Sequence, residues 1–162
     1  MVWLGFAYRQ GDGVEVDYEK SAEWFIKAVG AGDGHAMIHA ARIYFCYSYQ
    51  PEKARQWLLK AADAGYVESY NMLAQLHDDR GTPEYDPVEA VKWWQMGVTS
   101  GKASGAHAAL ELSMHYRSGA GVPCDQALAL EWAREAVSLA PEKTAIFHEA
   151  VKFLQKIERD LL

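Results

Sequence analysis

Large rings return along this chain at a near-constant interval. Tryptophans stand at Trp24, Trp57, Trp93 and Trp132, spaced 33, 36 and 39 residues apart, and each has a second ring upstream, at Tyr8, Tyr44, His77 and Tyr116. The ring-to-Trp distance is 16 residues in the first, third and fourth units and 13 in the second, so the second unit has a turn three residues shorter. Other columns keep the same register. Asp17, Asp86 and Asp125 each stand nine residues after the ring, and Gly32, Gly65 and Gly101 each stand eight after the Trp. A fourfold recurrence of this kind marks a repeat architecture.

Each unit predicts two helices. The second is the clearer, as in Asp86-Pro87-Val88-Glu89, where an N-cap carboxylate, a proline at the first helical position and a capping-box acid follow one another. Pro51 has the same starting role in the second unit, and the closing glycines suit the left-handed residue past a helix end. The first helices are short and rich in alanine, as in residues 36–45 and 107–116, so neighbouring helices can approach closely while Trp and Tyr fill the space between pairs. From Pro141 a last helix runs to about Asp160, with Ile146, Ala150, Phe153, Leu154, Ile157 and Leu161 on one face and Lys152, Lys156, Glu158 and Arg159 on the other. It would cap an otherwise exposed repeat core. The expected fold is therefore all-α, a right-handed α-α superhelix in one domain. Its repeats span about 1–34, 35–67, 68–103 and 104–140, and its capping helix 141–162. The N-terminal end, with apolar Val2, Trp3 and Phe6, has no such cap, which points to further repeats upstream or to packing against a second copy.

Composition narrows the function classes. Half of the 162 residues are hydrophobic and 12% aromatic, enough to expect a packed fold. A net charge of −6 with no basic run argues against a grip on nucleic acid. No stretch reaches the roughly 18 apolar residues of a membrane span, and the first ten residues do not read as a signal peptide. Cys46 and Cys124 make neither a disulfide framework nor a metal spacing and are expected as lone buried thiols, which favours a cytoplasmic setting.

The pattern resembles the Sel1-like repeats, relatives of the tetratricopeptide repeats. The first unit carries Leu4-Gly5-x-x-Tyr8-x-x-Gly11-x-Gly13-Val14 with Asp17, Lys20, Trp24, Lys27, Ala28 and Gly32. The second carries Lys53-Ala54-x-x-Trp57-x-x-Lys60-Ala61-Ala62-x-x-Gly65. The third departs most, with His77 for Tyr and Met96-Gly97 for Lys-Ala. The resemblance covers nearly the whole chain and implies a scaffold or adaptor that binds proteins, without cofactor. A cysteine-rich branch of the family has been credited with penicillin binding, but the paired cysteines of that branch are absent here.

The remaining motifs bear on chemistry. His35 and His39 have the i, i+4 spacing of a metal pair but lack a zinc-protease Glu and an obvious third ligand, so they read as polar-surface or groove histidines. His77-Asp78-Asp79 point to different helix faces, while His107 and His115 share a stripe as groove or packing residues. Gly11-x-Gly13 and Gly119-x-Gly121 recur with the repeat and read as turns rather than phosphate loops. No nucleophile elbow is present. We therefore expect no enzyme, no metal and no catalytic residue.

By analogy with tetratricopeptide geometry, the first helices line a concave groove. The positions two and five residues to either side of the motif Leu (Leu4, Ala40, Leu73 and Leu112) would face it. They include Phe6, Arg9, His35, Ile38, Arg42, Phe45, Asn71, Gln75, Asp78, His107, Leu110, Met114 and Arg117. Apolar anchors flanked by arginine suit a protein or peptide partner. The alternatives are a structural segment of a longer array and an enzyme or metal protein using His35 and His39.

Overall fold

A computed structural model describes residues 1–99 and 101–160 and their side chains, those of Lys102 and Ala103 excepted. The described residues form nine helices and no strand. The chain divides into two units, residues 1–85 and residue 86 onwards. The first holds α1 (Val2–Gln10), α2 (Tyr18–Gly30), α3 (Ala36–Cys46), α4 (Pro51–Asp63) and α5 (Glu68–Asp78). The second holds α6 (Pro87–Val98), α7 (Lys102–Ser118), α8 (Gln126–Leu139) and α9 (Ala145–Asp160). Within each unit, helices next to each other in the chain pack against each other.

The recurring polar residues make these elements start and stop. The Asp17 carboxylate accepts from the Lys20 N–H at 2.9 Å, Asp86 from Val88 and Glu89, and Asp125 from Ala127 and Leu128. Each satisfies orphan donors of a helix N-terminus. Pro51 and Pro87 occupy the first helical turn as expected. Gly11 and Gly119 take matching left-handed conformations, φ 77° and 76°, and donate back to Ala7 and His115 carbonyls at 2.8 Å. The turn then closes on the ring residue. The Asp17 N–H reaches the Tyr8 carbonyl and the Asp125 N–H the Tyr116 carbonyl, both at 2.9 Å. In the second unit of the repeat Gln50, six residues after Tyr44 instead of nine, makes that bond at 2.8 Å. The missing three residues come out of the turn alone, leaving its closure intact.

The core is smaller-grained than the ring pattern suggests. In the first unit of the fold it is built on Ala22, Phe25, Ala28, Ala36, Ala40, Ile43, Tyr44 and Ala54. In the second, Ala109, Leu110, Ala136 and Ala150 hold the corresponding place. Buried hydroxyls tie the pairs, Ser21 to the Gly5 carbonyl at 2.7 Å and Ser113 to the Ala129 carbonyl at 2.6 Å. The repeated Trp24, Trp57, Trp93 and Trp132 are only half-buried, which corrects their expected place in the core. Small Ala and Ser side chains fill much of the contact between helices, and these indoles sit at its perimeter. There Lys27 covers Trp24 and Lys60 covers Trp57, each ammonium 4.4 Å from the ring. The fully buried indole is Trp94, one residue past the column.

Three further expectations change. The last helix begins at Ala145, not Pro141. Lys143 is left-handed at φ 65° and interrupts the helix, and the Thr144 hydroxyl caps the Phe147 N–H at 3.3 Å. The first helix of the fourth repeat starts earlier, at Lys102. Both cysteines are exposed rather than buried, since Cys46 ends α3 and Cys124 lies in a turn.

Candidate functional site

The first-helix face of the first unit begins at α1. Phe6 meets Phe25 edge to face at 5.1 Å, and the Arg9 guanidinium lies 5.0 Å over the Phe6 ring. On α3, His35, His39 and Arg42 follow at helical spacing and share one side. The His39 ring packs between Phe6 at 4.9 Å and Phe25 at 5.0 Å, and its Nδ1 is buried without a hydrogen-bond partner. Burial first, then the positive charges of Arg42, Arg9 and His35, hold the His39 pKa below its ordinary value. His35 caps the start of α3 in an exposed position with its ring on Tyr66 at 4.9 Å. Arg42 is exposed and makes no ion pair or hydrogen bond among the described residues. Phe45 is half-buried against the core. On α5, Asn71 is buried, Asp78 half-buried and Gln75 exposed.

The corresponding residues of the second unit have neighbours on the helices around them. The half-buried His107 ring stands edge-on to Trp94 at 5.4 Å, with Nε2 3.9 Å from the Glu111 carboxylate. Burial lowers its pKa, against the raising influence of Glu149. Met114 packs in the cluster that contains Phe153, while Arg117 lies over the Phe153 ring and pairs with Asp160 of α9. Leu110 and Ile38, expected to face a groove, are buried at 1% and 4% exposure. On α3 exposed Arg42 presents surface instead, while on α7 His107, Glu111 and Met114 are half-buried.

His35 and His39 spend their rings on different aromatic partners. Buried His77 bonds through Nδ1 to the Glu84 carbonyl, and buried His115 through Nδ1 to that of Ala120, both at 2.8 Å. Asp79 accepts from the Gly81 N–H. Among the described residues no three His, Cys, Asp or Glu side chains converge, and no helix is long and apolar enough to cross a membrane.

Two features escaped the sequence. Sequence spacing offers His39 as a surface or groove histidine or half of a metal pair, but not as the ring that joins α3 to α1 through Phe6. A cleft of about 540 Å³ also opens between Phe45, Tyr49 and Pro51 on one side and Asp79, Thr82 and Pro83 on the other. It lies where the second repeat has its shortened turn, and that three-residue gap was the available signal.

Comparison with known proteins adds a family. The Sel1 repeat profile matches residues 1–33, 36–66, 67–102 and 106–140. A sel1-like repeat-containing protein, L21, of Acanthamoeba polyphaga mimivirus is 28% identical over 98 residues, covering 60% of this chain and 18% of that protein. Among solved structures, the protective antigen c5321 of uropathogenic Escherichia coli, which displays an SLR fold, superposes with a TM-score of 0.75 at 25% identity. That match covers 99% of this chain and 33% of the antigen. A Sel1 repeat protein from Oxalobacter formigenes gives 0.71 at 23%, covering 96% and 61%. The chain thus spans about a fifth of the curated relative and between a third and two-thirds of these solved chains.

Proposed function

The chain belongs to the Sel1 repeat family, whose helical solenoids generally serve as protein-interaction scaffolds, and from that premise we propose that it binds a segment of a partner protein without catalysing a reaction. The segment lies along the face formed by the first helices of the first unit, α1, α3 and α5. The observation that carries this reading is the exposed side of α1 and α3. Arg9 lies over the half-buried ring of Phe6, and exposed Arg42 stands one turn after His39 on α3, a composition typical of contact patches. The caps, turn closures and buried serines account for the recurring residues as scaffold, so the residues that vary from repeat to repeat on this face are the ones left to recognise a partner.

A peptide selected for binding to the purified full chain tests this. Arg42→Glu and Gln75→Lys should each weaken binding about tenfold, a loss near 1.4 kcal/mol. Arg55→Glu on α4 should leave it unchanged. Unaltered affinity in both first-helix variants would overturn the assignment of the face. Met114→Asp is a poorer probe, because Met114 packs against the α9 cluster and its replacement would disturb the fold.

A further inference from the structure

Several cations of this protein have partners among the described residues. Lys20 pairs with Asp17, Lys92 with Glu89, Arg117 with Asp160 and Arg134 with Glu158, while Lys27, Lys53 and Lys60 lie over rings. Arg9 and Arg42 have no carboxylate partner among the described residues, and neither do Arg55, Lys143, Lys152, Lys156 and Arg159. Arg9 rests only on the Phe6 ring. Arg9 and Arg42 both stand close enough to His39 for their charge to oppose its protonation. The His39 Nδ1 beside them is buried and lacks a hydrogen-bond partner. A second basic row, Lys152, Lys156 and Arg159, runs along exposed positions of α9, with no orphaned polar atom among its members.

We propose that Arg9, His39 and Arg42 form a carboxylate-recognition site that receives a Glu or Asp side chain of an acidic peptide segment, with the Phe6 ring as its apolar neighbour. This rests on the reading of the first-helix face as the binding surface and names its ligand. Two guanidiniums supply charge-assisted donors, which are stronger than neutral ones. The aromatic pair Phe6 and His39 gives an adjacent apolar residue of the segment a surface to cover. An acidic peptide fits better than a nucleic acid, which requires phosphate contacts spread along a basic surface, whereas this positive patch is local and the protein around it acidic. Carboxylate binding would also favour protonated His39. The charged groups that face it are Arg9 from α1, His35 and Arg42 on α3, and Asp33 from the preceding turn, with uncharged Phe25 from α2.

The test uses two synthetic peptides of about twelve residues with the same leucines and phenylalanine, one carrying two glutamates and the other glutamines in their place. Binding to the full chain is followed by fluorescence anisotropy for wild type, Arg42→Glu and Lys156→Glu, the two variants having the same change in charge. The glutamate peptide should bind at least tenfold tighter than its glutamine partner and lose that advantage in Arg42→Glu but not in Lys156→Glu. In the complex, the His39 ring protons should titrate at higher pH than in the unbound protein. If the two peptides bind alike and Gln75→Lys still weakens both, the carboxylate site falls while the first-helix face stands. If Lys156→Glu abolishes the glutamate preference as fully as Arg42→Glu, the attraction is diffuse and the site falls. If neither peptide binds, the site falls as well, and the display-selected peptide then judges the face separately.

Discussion

A methyl group on Gly5 would stand 2.8 Å from the Phe25 ring, closer than any real side-chain contact, and Phe25 is fully buried and cannot swing aside. Gly5→Ala should therefore destabilise the fold by about 1–3 kcal/mol. Pairing it with Phe25→Leu should recover part of the loss, a non-additivity that a double-mutant cycle by urea unfolding would read directly. Protonation of His39 and His107 is opposed mainly by burial. Their folded pKa values lie below the ordinary histidine value near 6.5, so the unfolded chain binds more protons as pH falls through that region. Stability is then full above about pH 6.5 and declines as pH drops towards the folded values. The melting temperature should fall between pH 7.5 and 5.5, and the double variant His39→Gln/His107→Gln should flatten that slope. The motif column at Gly5 was legible in the sequence, but its reason was not, because it lies in a ring 20 residues away on the next helix.

At the scale of the element, the caps carry the most direct predictions. Asp86→Ala and Asp125→Ala each remove a carboxylate that serves two backbone N–H groups. Each should cost about 1 kcal/mol, seen as a drop of about 3 °C in the melting temperature. Helix starts and stops were readable wherever the signalling side chain itself makes the bond, as Asp17, Asp86 and Asp125 do. The reading failed at Pro141. A proline in a turn looks the same in sequence as a proline opening a helix, and the left-handed Lys143 that decides between them leaves no composition signal. The Trp column misled in another way. Its recurrence was real, but recurrence marks a fixed environment rather than a buried one, and here that environment is the half-buried perimeter, where a lysine at i+3 covers Trp24 and Trp57.

For the whole molecule, the period and its one shortened turn gave the number and kind of helices, which the family match and the solved relatives bear out. Within the second unit, α9 covers Leu110, Ala136 and Met114. A chain ending at residue 140 should expose that surface, and size-exclusion chromatography should show it self-associating. The candidate site was legible only as a list of face positions. Sequence spacing cannot show that Arg117 is answered by Asp160 while Arg42 is left without a partner, since that depends on which helices come to lie opposite.

The proposed binding of partners on the first-helix face is tested most directly by an amide chemical-shift map of the labelled full chain with the glutamate peptide. Perturbations at saturation should cluster at Phe6, Arg9, His39 and Arg42 and extend to Gln75. Perturbations confined to the second helices α2, α4, α6 and α8 would contradict it.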